Sequence, residues 1–220
     1  MHFLLKYYSL GGIRLFVLIT ILNMGIIWLS QNLLITETVF YNTYSEQLTM
    51  DRSLMLFDMM KDFVWVSYVI VPVFLFLKTT LISLTIFTGI FLYNLNNRVN
   101  FGSVFRIVLG SEIILTVASL IKFLWMYFFG GNFDLNDMTF FYPLSLINFF
   151  TINEVRVIWI YPLQIINVFQ ILYILLLSFG LTKVCKLENS DSDKVVLSTY
   201  IPALTIWIAL IIFLSIDLAI

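Results

Sequence analysis

Five polar side chains inside otherwise apolar stretches are the residues most able to do chemistry: Lys78, Glu112, Gln164, Asn167 and Gln170. Ionisable groups in hydrocarbon are costly and often mark functional sites. Lys78 has a long stem that can carry its ammonium toward the interface. Glu112 has no such reach and lies roughly 12 Å inside its stretch at ~1.5 Å per residue. We expect the Glu112 carboxyl to be protonated, hydrogen-bonded or paired.

The partner of Glu112 depends on how its helix and the preceding one are aligned. If Tyr93 faces Val104 across an antiparallel hairpin, Glu112 faces Thr85 and Lys78 lies about 10 Å away in depth. A direct Lys78–Glu112 pair then needs a shift in register or a bridging water. Three hydroxyl-bearing residues are nearer candidates to bond a protonated Glu112: Thr85, Thr88 and Ser111. Glu112 has either a structural role or a role with a proton or substrate.

The three amide side chains follow one another at a spacing of three residues. In one continuous helix Gln164, Asn167 and Gln170 share a face. Lipid cannot satisfy amides, so this face is expected to point into the bundle or into water. The amides either join helices by hydrogen bonds or form one wall of a polar cavity.

Long apolar stretches make up the elements that must position these residues. Hydrophobic residues form 61% of the 220-residue chain and charged residues 11%, more apolar surface than a soluble core of this size can bury. Each stretch reaches the ~20 residues that a membrane-crossing helix needs. We predict an all-α, polytopic transmembrane bundle of one domain, 1–220, with five spans: about 13–36, 63–93, 104–129, 157–183 and 199–220.

The connections between the spans are short. Segment 63–93 is read as one long helix kinked near Pro72. We expect an amphipathic interfacial helix within 37–62 and a re-entrant or interfacial helix within 140–150. Asp134 and Asp137 lack the further ligands of a calcium loop and indicate a solvated turn. The inner loop 186–194 is also read as a solvated turn.

Basic residues are unevenly distributed between the two ends of the predicted spans. Seven fall on the side of the N-terminus: Lys6, Arg14, Arg98, Arg106, Lys183, Lys186 and Lys194. Three fall on the other side: Arg52, Lys61 and Arg156. Lys78 and Lys122 lie within spans, and Lys122 is expected to extend toward the outer interface. The positive-inside rule then predicts a cytoplasmic N-terminus and an external C-terminus.

Known catalytic motifs are absent from the sequence. The only histidine is His2 and the only cysteine is Cys185, which excludes an intramolecular disulfide and a cysteine metal cluster. No HExxH, GxSxG or P-loop pattern occurs, and a net charge of −1 argues against a nucleic-acid surface. We expect no enzyme, no catalytic residue, no cofactor and no metal, and an inert Cys185 thiol.

Three segments resemble the Yip domain family of five-span Rab-interacting membrane proteins and its bacterial relatives. They are Asn97-Arg98-Val-Asn-Phe101-Gly-Ser-Val-Phe105-Arg106, Pro143-Leu-Ser145-Leu146, and the run from Ile166-Asn167-Val-Phe169 to Gly180-Leu181 with Ser192-Asp193-Lys194 after it. The chain lacks the long N-terminal region of the eukaryotic members, so the likeness is greatest to a bacterial relative. The resemblance implies a five-helix fold and a non-enzymatic role, and it supplies no catalytic residues.

Two functions remain open from the sequence. One is a non-catalytic scaffold that organises the membrane or serves as a subunit of a membrane complex, with a protein partner or a homo-oligomer in the bilayer. The alternative is a small permease or channel component that uses the intramembrane polar residues. The expected location is a bacterial inner membrane, with lipid as the surrounding solvent.

Overall fold

The protein is a bundle of long helices in its computed structural model. The structure describes residues 7–8, 10–45, 47–95, 99–131, 133–151 and 154–217. Nine α-helices are described: α1 Gly12–Leu33, α2 Glu37–Tyr44, α3 Met50–Asp62, α4 Val64–Leu92, α5 Phe101–Phe129, α6 Leu135–Phe140, α7 Val157–Ile165, α8 Val168–Val184 and α9 Asn189–Asp217. A 3₁₀ helix covers Leu146–Phe149. The only strand-like pairing in the described part of the chain is an isolated bridge between Ser145 and Asn167.

Four of the described helices are long and apolar enough to cross a bilayer. They are Gly12–Leu33, Val64–Leu92, Phe101–Phe129 and the Asn189–Ser215 part of α9. The chain is therefore an all-helical, multi-pass membrane protein.

The prediction of one helix over 63–93 is confirmed, because α4 continues through Pro72. Proline costs that helix one backbone hydrogen bond, and the flanking turns retain the helical backbone.

Helix α5 lies at the centre of the bundle. It packs against α1, α4 and α8, while α9 packs against α4, α7 and α8. The α5 surface is buried over much of its length, whereas α1, α4 and α9 leave most of their apolar side chains exposed. In a membrane those exposed side chains meet lipid, which is as apolar as they are. The large core cluster consequently forms where α4, α5, α8 and α9 meet, around Ile86, Ile107, Tyr173 and Val195.

The predicted fourth span is not a single helix, which corrects the sequence analysis. Helix α7 ends at Ile165 and α8 begins at Val168. Ile166 leaves the helical conformation and Asn167 is extended, and the backbone at this break pairs with segment 144–146. The Leu146 N–H donates to Ile166 O at 3.0 Å, and the Val168 N–H donates to Leu144 O at 3.1 Å. The break persists because these bonds replace those that a continuous helix would make.

The predicted inner loop 186–194 is shorter than expected, because α9 already begins at Asn189. Ser192 is buried and its hydroxyl accepts from Thr182 at 2.9 Å, and the Ser178 hydroxyl donates to the Asp193 carboxylate. A solvated turn is therefore wrong for Ser192, which is buried, whereas Asp193 lies in α9 with an exposed side chain. Glu188 and Asn189 nearby remain exposed.

The outer connections contain short helices rather than plain loops. Asp134 and Asp137 form a capping box at the start of α6, in which each carboxylate accepts the backbone N–H of the other residue. This arrangement satisfies free N–H groups at the helix start. The predicted amphipathic segment 37–62 contains α2 and α3. Lys6, Asn97 and Arg98, which the orientation and the resemblance use, lie outside the described residues.

Candidate functional site

Glu112 is the best-supported candidate for a functional residue, and it is buried near the middle of the bundle. Its side chain is only 5% exposed. The Lys78 Nζ lies 2.8 Å from Glu112 Oε2, and the Tyr173 hydroxyl donates to Glu112 Oε1 at 3.0 Å. Both carboxylate oxygens thus have a strong donor, from α4 on one side and from α8 on the other.

The Lys78–Glu112 pair differs from the expected partner of Glu112 and from the expected register of α4 on α5. Glu112 faces Lys78 rather than Thr85, so α4 is displaced along α5 from the register in which Tyr93 faces Val104. Ring contacts support the shift, because Phe87 packs against Phe101 with centroids 5.8 Å apart. The physical reason is that α4 extends beyond the start of α5, since Phe87, five residues before the end of α4, lies level with Phe101.

The hydroxyl residues proposed as partners of a protonated Glu112 bond elsewhere. Thr85 and Thr88 donate to the carbonyls of Leu81 and Leu84 in their own helix. The Ser111 hydroxyl donates to Ile107 O and also lies 3.1 Å from the hydroxyl of Tyr8. Such bonds to the preceding turn are the ordinary way in which a hydroxyl is satisfied inside a helix.

Two tyrosines and a glutamine extend the site toward α9. The Tyr173 ring lies 5.5 Å from the Tyr200 ring, centroid to centroid. The Gln170 Nε2 donates to the Tyr200 hydroxyl at 2.6 Å. Gln170 therefore reaches the Glu112 site indirectly, through these two tyrosines, whose rings are tilted by 44° to one another. Neither tyrosine was found from the sequence; the need of a buried tyrosine hydroxyl for a hydrogen-bond partner is the signal that could have found them.

The pair can hold charge inside the bundle but lacks the components of a nucleophilic or metal site. The Glu112 carboxylate and the Lys78 ammonium form one ionised pair. The Tyr173 phenol stabilises that pair by a hydrogen bond in surroundings of low polarity. The described residues contain no group of three histidine, cysteine or acidic side chains that could hold a metal ion. Lys78 remains 31% exposed, so one face of the pair is open toward the outside of the bundle.

Gln164, Asn167 and Gln170 do not share a helical face, contrary to the prediction, because the helix breaks between them. Gln164 ends α7 and donates from Nε2 to Thr139 O and Phe140 O, at 2.6 and 2.8 Å. It thereby fastens α6 to α7. Gln170, in the first turn of α8, points instead to Tyr200.

Asn167 holds the helix break together. Its Oδ1 accepts from the Gln170 N–H at 2.7 Å and caps α8. Its Nδ2 donates to Gln164 O and Ile165 O, at 2.7 and 3.0 Å, and so satisfies carbonyls at the end of α7. The side chain is buried and both ends of its amide are bonded. Asparagine is suited to this place because one side chain provides an acceptor for a helix start and donors for a helix end.

A second polar row, on the α1 side of α5, was not found from the sequence. The Asn23 Nδ2 lies 3.0 Å from Thr116 Oγ1, and Thr116 is one turn beyond Glu112. The Tyr7 hydroxyl donates to Gly110 O at 3.2 Å, where a side chain on Gly110 would overlap the Tyr8 ring. These contacts bind α1 and the segment before it to the helix that carries Glu112.

Cys185 lies apart from this site, at the end of α8. The thiol is buried, and that burial raises its pKa to about 11, with the Arg106 guanidinium opposing the rise. A protonated thiol is a poor nucleophile. The geometry agrees with the inert thiol expected from the sequence.

The chain matches no protein-family model, no curated protein and no solved structure. The resemblance to the Yip domain family consequently stays a prediction from three short segments.

Proposed function

We propose that this chain is a non-catalytic integral membrane protein that serves as a scaffold or as a subunit of a membrane complex. The observation that supports this role best is that the buried side chains of Glu112 and Asn167 have their hydrogen-bond partners within the chain. Glu112 is bonded by Lys78 and Tyr173, and Asn167 by its neighbours in α7 and α8. Two surface pockets, one beside α2 and α3 and one at the outer end of α5, involve neither residue. Groups bonded in this way stabilise a fixed arrangement of helices.

We further propose that α7 and α8 together make a fifth crossing. Both lie along α9 and run antiparallel to it. The Ser178–Asp193, Gln170–Tyr200 and Tyr161–Trp207 hydrogen bonds follow one another along that single continuous helix. A broken helix at membrane depth is stable when its free backbone groups are bonded within the protein. Five crossings place the two termini on opposite sides, with the N-terminus in the cytoplasm by the positive-inside rule.

The helices of the outer connections are proposed to lie at the membrane interface. In α3 the exposed side chains include Met55 and Met59 together with Asp51 and Lys61. The 3₁₀ helix likewise exposes Phe149. Apolar groups beside charged ones on a short helix suit the boundary between headgroups and acyl chains. The resemblance to bacterial Yip relatives extends the proposal to the inner membrane of a bacterium.

A scaffold or subunit must contact another protein or a second copy within the bilayer. We would test this by placing a photo-crosslinking residue at exposed positions of α4, such as Leu77, and at the buried Leu75 as the matched control. The same scan covers exposed positions of α1 and α9. Discrete adducts in native membranes are expected from some exposed positions and none from Leu75. Absence of adducts from every face, together with a monomeric size in mild detergent, would contradict the proposal.

The helix break favours a permease or channel component as a second candidate. Broken helices and buried ionisable residues line the binding sites of many transporters. In a Cys185→Ser background, Asn167→Cys is expected to resist small water-soluble thiol reagents, whereas Asn42→Cys on the exposed surface of α2 should react. Rapid labelling of Asn167→Cys in a folded protein, with an ion flux in liposomes that Glu112→Gln abolishes, would favour the permease instead.

A further inference from the structure

An open pocket of about 600 Å³ lies at the outer end of α5, away from the Glu112 site. Its polar lining residues are Tyr44, Lys122, Asn136 and Thr139, and its apolar lining residues are Ile35, Leu135 and Met138. The walls are joined to one another, because the Leu135 N–H donates to Thr43 Oγ1 at 3.0 Å and so connects α6 to α2. The pocket is thus part of the folded outer layer.

Lys122 is the charged group in this pocket, and it has no anionic partner among the described residues. The described ion pairs within 4.0 Å consist of Lys78 with Glu112 alone. The acidic residues next to the pocket in sequence, Asp134 and Asp137, use their carboxylates to cap the start of α6. A partly buried ammonium without a counter-ion attracts an anion from outside the chain.

Aromatic side chains indicate the depth at which the pocket lies. Trp125, one turn beyond Lys122, stacks on Phe141 with ring centroids 6.0 Å apart and packs against Phe129 at 5.0 Å. Trp125 and Phe129 are exposed. Amphipathic and aromatic rings concentrate at the level of the lipid headgroups. Lys122 therefore lies where headgroup phosphates meet the first methylenes of the acyl chains.

We propose that this pocket binds the phosphate of an anionic phospholipid headgroup. The Lys122 ammonium provides the charge, and the Tyr44 hydroxyl can donate a hydrogen bond to a phosphate oxygen. The Asn136 Nδ2 lies 3.4 Å from Asp134 Oδ2 and has a second hydrogen that a phosphate oxygen can accept. Ile35, Leu135 and Met138 provide an apolar wall against which the start of an acyl chain can pack. The site goes beyond the proposed scaffold role and needs no protein partner.

Native mass spectrometry of the purified protein in mild detergent can test this site. The wild type, titrated with phosphatidylglycerol and with phosphatidylcholine, is expected to retain the anionic lipid preferentially. Lys122→Met should bind phosphatidylglycerol about fivefold more weakly, because one lysine contributes on that scale to anionic-lipid binding. Lys183→Met, which removes an exposed lysine at the other end of the bundle, should bind it as the wild type does.

Three results would overturn the proposal. The first is equal retention of phosphatidylglycerol by the wild type and Lys122→Met. The second is thermal stabilisation by inorganic phosphate that depends on Lys122 without any preference among lipids, which would identify a free-phosphate site. The third concerns thermal stability. If Lys122→Met is destabilised by the same amount in the presence and in the absence of phosphatidylglycerol, the ammonium makes a contact within the chain. Failure here leaves the scaffold role untouched, since detergent-solubilised protein without partners is used.

Discussion

The Glu112 carboxylate shows how a charge is kept inside this bundle. Burial of a lone charge in a medium of low polarity costs several kcal/mol. Here the Lys78 ammonium balances the carboxylate charge and the Tyr173 hydroxyl donates a hydrogen bond, so each carboxylate oxygen has a donor. Removal of one charged partner leaves the other charge uncompensated, whereas removal of both partners leaves no buried charge. The free-energy cost of substitution is thus expected to be strongly non-additive.

We predict that Glu112→Gln and Lys78→Met each lower the free energy of unfolding by about 3 to 5 kcal/mol, the usual cost of breaking a buried pair. The double variant Lys78→Met/Glu112→Gln should lose less than either single variant, because Gln still accepts from Tyr173 and no charge is stranded. Thermal or denaturant unfolding of the detergent-solubilised protein measures the cycle. Lys183→Met provides an exposed lysine control and should change stability little.

A double variant as unstable as the sum of the single variants would show that the charges act independently. From the sequence alone, the Glu112 carboxyl could be protonated, hydrogen-bonded or paired. The ion pair with Lys78 selects the paired state, so Glu112→Gln leaves an ammonium without its carboxylate.

Cys185 allows a pH-dependent prediction outside the membrane-spanning helices. Its pKa of about 11 leaves the thiol protonated at neutral pH, and the thiolate is the reactive form. Labelling by maleimide should be slow at pH 7 and rise about tenfold per pH unit until the pH approaches 11. Ser190→Cys, on the exposed first turn of α9, should react rapidly already at pH 8. Equal rates for the two thiols at neutral pH would disprove the burial argument.

At the scale of elements, small residues decide how closely the helices approach. Gly180 of α8 lies against Ile107 of α5, and Gly89 of α4 lies against Thr199 of α9. Membrane helices associate largely by such packing, because lipid offers no hydrophobic drive between them.

We predict that Gly180→Ala lowers the free energy of unfolding by about 1 to 3 kcal/mol, because the added methyl group overlaps Ile107 and the helices must separate. Gly25→Ala is the matched control, since α1 has open space at Gly25 and alanine favours a helix more than glycine does. Unfolding in detergent followed by circular dichroism compares the two. Equal effects at both positions would mean that α5 and α8 are not tightly packed at Gly180.

The helix break between α7 and α8 shows a limit of reading elements from apolar length. Segment 157–183 is apolar over most of its length, and Asn167 within it is equally compatible with a continuous helix. The break exists because segment 144–146, far away in sequence, offers backbone partners to Ile166 and Val168. A pairing of this kind depends on where α6 and the 3₁₀ helix fold, and no local pattern encodes it.

At the scale of the whole molecule, topology tests the number of crossings. We predict that a compartment-specific reporter responds in opposite ways at the two termini, because α7 and α8 are proposed to complete a fifth crossing and the basic residues favour a cytoplasmic N-terminus. Fusions of alkaline phosphatase and of green fluorescent protein to each terminus measure this. A further fusion after Phe150 should report the external side. The same response from both termini would mean an even number of crossings and would leave the α7–α8 segment on one side.

The sequence by itself determined the solvent, the helical class and the approximate bounds of α1, α4 and α5, because long apolar runs and the bilayer thickness leave few alternatives. It also singled out Glu112, Lys78 and Asn167 as costly groups that need partners. Only the tertiary structure decided which partners they have. The α4–α5 register brings Lys78 to Glu112, α8 brings Tyr173, and segment 144–146 stabilises the break at Asn167. Register and long-range pairing arise from side-chain packing between helices, and spacing along one helix does not contain that information.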